Sequence, residues 1–179
     1  MNASSPFPSA LRELARTQQA FLAYAATHVH TLDLTLPQFD IILSLGNTDG
    51  MTFKMLGEKT IITKGTLTGI VNRLEDKGLV QRAASKTDGR SQIVSLTAAG
   101  SVLYERAFPE HLVFIDHIFN EYSPEDITTL EAALLRLRRA VMTARGDGGG
   151  KSADAVDGRR ALIKNICKRH RKESPVRGC

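Results

Sequence analysis

The chain has 179 residues, 42% hydrophobic and 24% charged, a balance suited to one packed domain plus a tail. No apolar run approaches the roughly 18 residues of a membrane-spanning helix, and Met1 to Pro8 lack the basic start and apolar stretch of a secretion signal, so the cytoplasm is the expected compartment. Both cysteines, Cys167 and Cys179, fall in the last stretch, which excludes a disulfide framework and a cysteine nucleophile in the body.

In chain order, Leu11, Leu14, Gln18, Phe21, Leu22 and Ala25 follow the three-four spacing of one helix face and predict a helix from about Ser9 to His30. Thr35-Leu36-Pro37-Gln38 announces a second helix, with Thr35 as cap, Pro37 in the first turn and Gln38 closing the box. Phe39, Ile42, Leu43 and Leu45 give it an apolar side, and Gly46-Asn47 ends it. Asp49-Gly50 is a turn, and Thr52 opens a short helix to about Lys59. Thr63 caps the next helix, which runs to Lys77 and stops at Gly78.

Residues 79–82 and 92–96 read as two short strands around the polar loop 85–91, which carries a turn-forming Asp88-Gly89. Thr97 caps a long helix to about Tyr122, which Pro109 should kink. Ser123-Pro124-Glu125-Asp126 caps a last helix to about Ala144 through Ile127, Leu130, Leu134, Leu137 and Val141. Beyond the flexible break Gly146–Gly150, the rest of 146–179 reads as a basic, largely disordered tail.

Charge is informative only once located. Residues 1–145 hold 15 Lys+Arg against 15 Asp+Glu, so the net charge of +5 resides in 146–179. Such a tail adds salt-sensitive, non-specific affinity for nucleic acid. Inside the neutral body, however, Lys54 to Arg90 hold 8 basic residues against 4 acidic ones, a local excess that needs a partner.

The order of elements is a helix-turn-helix followed by a β-hairpin wing. The fold class is therefore mainly α with a small β-hairpin wing, a winged helix-turn-helix plus a helical dimerisation region. On the helix after Thr63, Leu67, Ile70, Val71 and Leu74 make a stripe for the core. Lys64, Gly65, Thr66, Thr68, Gly69, Asn72 and Arg73 are left outside, a surface of hydroxyls, an amide, cations and bulk-free glycines suited to the major groove. Each interior glycine costs a helix roughly 1 kcal/mol relative to alanine, and close approach to another surface gives a reason for it. The helix start at Thr63 presents free backbone N–H groups to a phosphate. On the hairpin loop Arg90 suits a narrow minor groove, with Asp88 placed to hold its guanidinium. Each feature alone has a plainer reading: an amphipathic helix with a solvated face, a hairpin turn.

The stretch Lys64-Gly-Thr-Leu-Thr-Gly-Ile-Val-Asn-Arg-Leu-Glu-Asp-Lys-Gly-Leu-Val-Gln-Arg82, followed by Asp88-Gly-Arg-Ser-Gln-Ile-Val-Ser-Leu-Thr-Ala-Ala-Gly100, resembles the MarR (multiple antibiotic resistance regulator) family. The resemblance covers about residues 9–145 and is most specific over Thr63 to Gly100. It implies a homodimer whose terminal helices interlock and whose winged domains read half-sites of a palindromic operator on double-stranded DNA. By position it makes Thr63, Lys64, Thr66, Thr68, Asn72 and Arg73 recognition-helix contacts, Arg90 the wing-tip residue and Asp88 its partner. The tail departs from the family's usual pattern and inherits nothing from it. The residues support a dimer independently: Phe108, Leu112, Phe114, Ile115, Ile118 and Phe119 exceed what one small winged domain covers.

The resulting organisation is a dimerisation helix at 1–34, the winged helix-turn-helix at 35–100, further dimerisation helices at 101–145, and the tail at 146–179. The family implies regulation, most commonly repression, by a small aromatic or anionic effector in a crevice beside the dimer helices. Tyr24, His28 and His111 lie on helices that would border it, as do His30 and His117, although histidines there are also ordinary packed or surface residues. Thiol sensing, used by one branch of the family, needs a cysteine near the first helix, and none is there. No compact metal-ligand motif, phosphate-binding glycine loop or nucleophile elbow occurs, so no cofactor, metal or enzymatic activity is expected. The alternative of a different class is a winged module for protein–protein contact, without specific DNA binding.

Overall fold

The computed structural model describes residues 7–60, 62–84 and 91–146. The expected wing tip, Asp88 and Arg90, and the tail from residue 147 lie outside the described residues. Two compact units follow one another along the chain, the first ending at Ile115 and the second starting at Asp116.

The first unit holds α1 (Phe7–His30), α2 (Leu36–Leu45), β1 (Met51–Thr52), α3 (Phe53–Lys59), α4 (Lys64–Asp76), β2 (Val80–Ala84) and β3 (Gln92–Leu96), and α5 (Ala98–Asp116) leads out of it. Local chemistry sets most of these boundaries. The Thr35 amide donates to Gln38 Oε1 at 2.9 Å, the return half of a capping box. Thr52 Oγ1 accepts from the Met55 amide at 3.2 Å at the start of α3. α4 ends in a Schellman turn: Gly78 takes φ +69°, its amide donates to the Glu75 carbonyl and the Leu79 amide to the Leu74 carbonyl. Thr97 Oγ1 accepts from the Gly100 amide at 3.1 Å, capping α5, and donates to the Gly78 carbonyl at 2.6 Å. One hydroxyl thus ties the start of α5 to the end of α4.

The three strands form an antiparallel sheet in the order β1-β3-β2. Val94 of β3 faces Met51 on one side and Arg82 on the other. β1 is absent from the sequence reading because two residues carry no alternation to detect. The core of this unit gathers Val29 from α1, Phe39, Ile41, Ile42 and Leu45 from α2, Leu56 from α3, Leu67, Val71 and Leu74 from α4, and Val80, Val94 and Ala107 beyond. Full burial of one such leucine or isoleucine contributes about 1.5–3 kcal/mol. Where the start of α5 meets Leu79, the residue before β2, the backbones nearly touch: a Cβ built on Gly100 lies 2.0 Å from the Leu79 carbonyl oxygen.

The second unit holds a 3-10 turn, His117–Phe119, and α6 (Pro124–Ala144). Ser123 Oγ accepts from the Asp126 amide at 3.1 Å, and Asp126 Oδ2 accepts from the Ser123 amide at 3.0 Å, the expected box. The helix expected to reach Tyr122 instead ends as α5 at Asp116. Pro124 forces Ser123 into extended backbone (φ −71°, ψ 160°), and the chain tightens into the 3-10 turn ahead of it. Pro109 lies inside α5 without ending it.

The apolar face expected of α1 forms, but the described residues do not cover all of it. Leu11, Leu14, Phe21 and Leu22 are exposed, and only Ala25 and Val29 are buried. α6 buries no residue, and Ile127, Leu130, Leu134, Leu137 and Val141 are 36–50% exposed.

Candidate nucleic-acid interface

α4 divides into the two faces its sequence demands. Leu67, Ile70, Val71 and Leu74 are buried, while Thr63, Gly65, Thr66, Thr68, Gly69, Asn72 and Arg73 are exposed. Lys64 is the first residue of the helix. No heavy atom lies within 4 Å of a Cβ built on Gly65 or Gly69, so the described chain itself does not require glycine there. Thr63 has the extended backbone of a cap (φ −70°, ψ 149°) but makes no side-chain cap bond. Its hydroxyl pairs with that of Thr66 at 3.0 Å, and its carbonyl accepts from the Thr66 and Leu67 amides. Two hydroxyls therefore sit together at the positive end of the helix dipole, open to solvent.

The basic excess is partly consumed within the fold. Lys77 Nζ lies 2.5 Å from Asp33 Oδ2 and donates to the Asp33 carbonyl at 2.7 Å. This bond, and the lysine's charge, hold the Asp33 carboxyl below its usual value. Arg82 on β2 pairs with Glu75 of α4 at 3.2 Å, donates to Asn72 Oδ1 and places its guanidinium carbon 5.6 Å from the centre of the Phe53 ring. Arg73 makes no ion pair among the described residues, and it stands on the exposed face. Asn72 and Arg82 are thus linked, a pairing that a recognition-helix reading confined to α4 misses.

Tyr24, His28 and His111, expected around an effector crevice, are brought together within the first unit. The Tyr24 ring stacks on Phe114 with centres 4.4 Å apart, and its hydroxyl donates to the Phe114 carbonyl at 3.0 Å. His28 and His111 face each other Nδ1 to Nδ1 at 3.2 Å, and Phe39 presents its ring edge-on to His111 at 4.8 Å. A hydrogen bond between two Nδ1 atoms requires one N–H and one lone pair, hence at least one neutral ring. Burial, then the neighbouring His28, pushes His111 down to about 4, so the His111 ring is neutral at pH 7. His30 and His117 are exposed and take no part in these ring contacts. A cleft of about 510 Å³ lies elsewhere in the same unit, lined by Asn47, Thr48, Asp49, Ser95, Ser101 and Glu105 among others. Among the described residues no group of three or more His, Cys, Asp or Glu is placed to hold a metal, and no helix is long and apolar enough to cross a membrane.

Comparison with known proteins adds a family. A family model described as the MarR family matches residues 32–91. The organic hydroperoxide resistance transcriptional regulator of Bacillus subtilis (strain 168) is 34% identical over 131 residues, 67% of this chain and 86% of that protein. A solved structure of a probable transcriptional regulator from Pseudomonas aeruginosa is 31% identical with a TM-score of 0.62, over 69% of this chain and 92% of that one. A mutant MarR from E. coli complexed with operator DNA shares the fold at 23% identity, with a TM-score of 0.66 over 75% of this chain and 99% of that one.

Proposed function

The chain belongs to the MarR family, and from that premise we propose that it is a sequence-specific, DNA-binding transcriptional regulator of the cytoplasm that grips a palindromic operator as a homodimer. The observation that carries this reading is the outer face of α4. It is exposed, polar and clear of neighbours at both glycines, as a helix entering the major groove must be. In this reading Thr63, Lys64, Thr66, Thr68, Asn72 and Arg73 meet phosphates and base edges, and Arg90, held by Asp88, enters the adjacent minor groove. A relative named as a transcriptional regulator and a fold-mate complexed with operator DNA support the assignment.

The homodimer is supported by the apolar faces that α1 and α6 each leave uncovered among the described residues, since exposed apolar patches mark interfaces. Two-fold pairing sets two α4 helices for half-sites about 10 bp apart. Leu134→Glu places a charge on the α6 face and should leave a monomer in analytical ultracentrifugation; an intact dimer would remove α6 from the interface. Repression released by a small aromatic or anionic effector completes the reading, with Tyr24, His28 and His111 as the residues that feel it.

The test is selection of bound genomic fragments followed by footprinting against excess competitor DNA. A protected two-fold symmetric site is expected, with affinity falling steeply as salt rises. Equal affinity for every fragment, or none at low salt, refutes DNA reading and favours a protein-contact module.

A further inference from the structure

Arg82 is no part of α4, yet it touches a residue on that helix, Asn72, that is equipped to read a base. It reaches from β2 to α4, where its guanidinium donates to Asn72 Oδ1 and pairs with Glu75 at 3.2 Å, with the Phe53 ring beneath it. Its Nε is buried with no partner among the described residues. The group is therefore held by the fold rather than left free to swing toward a ligand.

The chemistry of this contact fixes the carboxamide. A guanidinium has only donors, so the Asn72 atom turned to it has to be the oxygen. Arg82 draws that oxygen toward β2, and the Nδ2 group, with its N–H donors, is what Asn72 has left to offer. An asparagine selects adenine by a two-point pairing, its oxygen accepting from N6 while its nitrogen donates to N7. The oxygen keeps a second lone pair, but turned toward β2 it no longer lies beside the nitrogen along one adenine edge, and the two-point pairing is lost. Guanine, by contrast, presents N7 and O6, both acceptors, to the major groove.

Resting on the reading of α4 as the groove-entering helix, we propose that Arg82 is a positioning residue: it orients the Asn72 carboxamide so that α4 selects guanine rather than adenine at the base pair Asn72 meets. Glu75 is the second anchor, holding the guanidinium in place when DNA approaches.

The experiment is in vitro selection from random duplexes with the full chain and four variants, alongside thermal melting of each. The wild type should yield a half-site with a guanine whose preference, about tenfold over adenine, disappears in Asn72→Ala. Arg82→Leu frees the oxygen and should move that position from guanine toward adenine, while Arg82→Lys, which still donates to Oδ1, should hold guanine. Asn72→Asp keeps the oxygen for Arg82 and loses the donors; it should melt like the wild type yet lose the guanine preference. That result tests the contact even if Arg82→Leu does not fold, because an aspartate without Arg82 as partner would face Glu75, three residues on, and melt lower. A selected half-site in which the Asn72-dependent base is adenine overturns the proposal, as does a folded Arg82→Leu with unchanged preference or a lowered melting point for Asn72→Asp. If the wild type selects no sequence at all, the reading of α4 falls and takes this proposal with it; a selected sequence indifferent to Arg82 removes this proposal alone.

Discussion

Adding one methyl group to the outer face of α4 should make the protein more stable and worse at binding DNA. Gly69 is exposed inside a 13-residue helix, and a Cβ built there meets nothing within 4 Å. Gly69→Ala therefore reduces the freedom of the unfolded chain without a clash in the folded one, a gain of about 0.5–1 kcal/mol. For a chain of this size that raises the melting temperature by roughly 1–4 °C. The same methyl stands between the helix backbone and whatever approaches it. If groove contact forces α4 back far enough to break one hydrogen bond to a phosphate, the loss is about 1.5–3 kcal/mol, roughly ten- to a hundredfold in affinity. Circular dichroism melts at fixed protomer concentration read the first effect, and fluorescence anisotropy with a selected operator reads the second. A stabilised Gly69→Ala that binds the operator as well as the wild type refutes close approach at this face. A destabilised one refutes the open surroundings from which the argument starts.

Two further outcomes follow from contacts away from α4. His111 gives up its proton near pH 4 in the folded chain, against 6.5 for a free imidazole; the unfolded chain therefore binds more protons between these values, and stability falls as the pH drops from about 6.5 to 4. For this half-buried ring, solvent screening reduces the loss to about 1–2 kcal/mol; urea midpoints at pH 7 and 4.5 should fall more for the wild type than for His111→Phe, and equal falls contradict the assignment. Gly100→Ala drives a methyl into the Leu79 carbonyl and should cost about 1–3 kcal/mol, a lowered urea midpoint with unchanged slope; an unchanged midpoint means that the close packing of α5 against Leu79 is not needed.

Features set by neighbours in the chain were legible in the sequence. The box at Thr35 and Gln38, the stop at Gly78 and the stripe Leu67, Ile70, Val71, Leu74 each arise within a few residues, so spacing alone exposes them. Long-range features were not. β1 exists only because Met51 and Thr52 find Val94 and Ile93, and the stack of Tyr24 on Phe114 joins residues 90 positions apart. Ile41, fully buried, lies off the apolar side that spacing assigns to α2, because this short helix is enclosed on more than one face. The α1 periodicity announced a helix but not what covers its apolar side. Arg82 reads from sequence as one more cation in a basic stretch; its contact with Asn72 requires β2 and α4 to be adjacent.

The sheet order β1-β3-β2 bears on how such a regulator can be switched. Because β3 is the middle strand, the root of the hairpin is stitched on one flank to the entry of α3 and on the other to the strand that follows α4. A swing of the hairpin about that root carries the β2–β3 ladder with it and would have to unzip the pairing of Met51 and Thr52 with Val94 and Ile93. On the proposed reading, an effector that loosened the grip of a homodimer on DNA would therefore act by relocating each reading head whole, altering the span between the two.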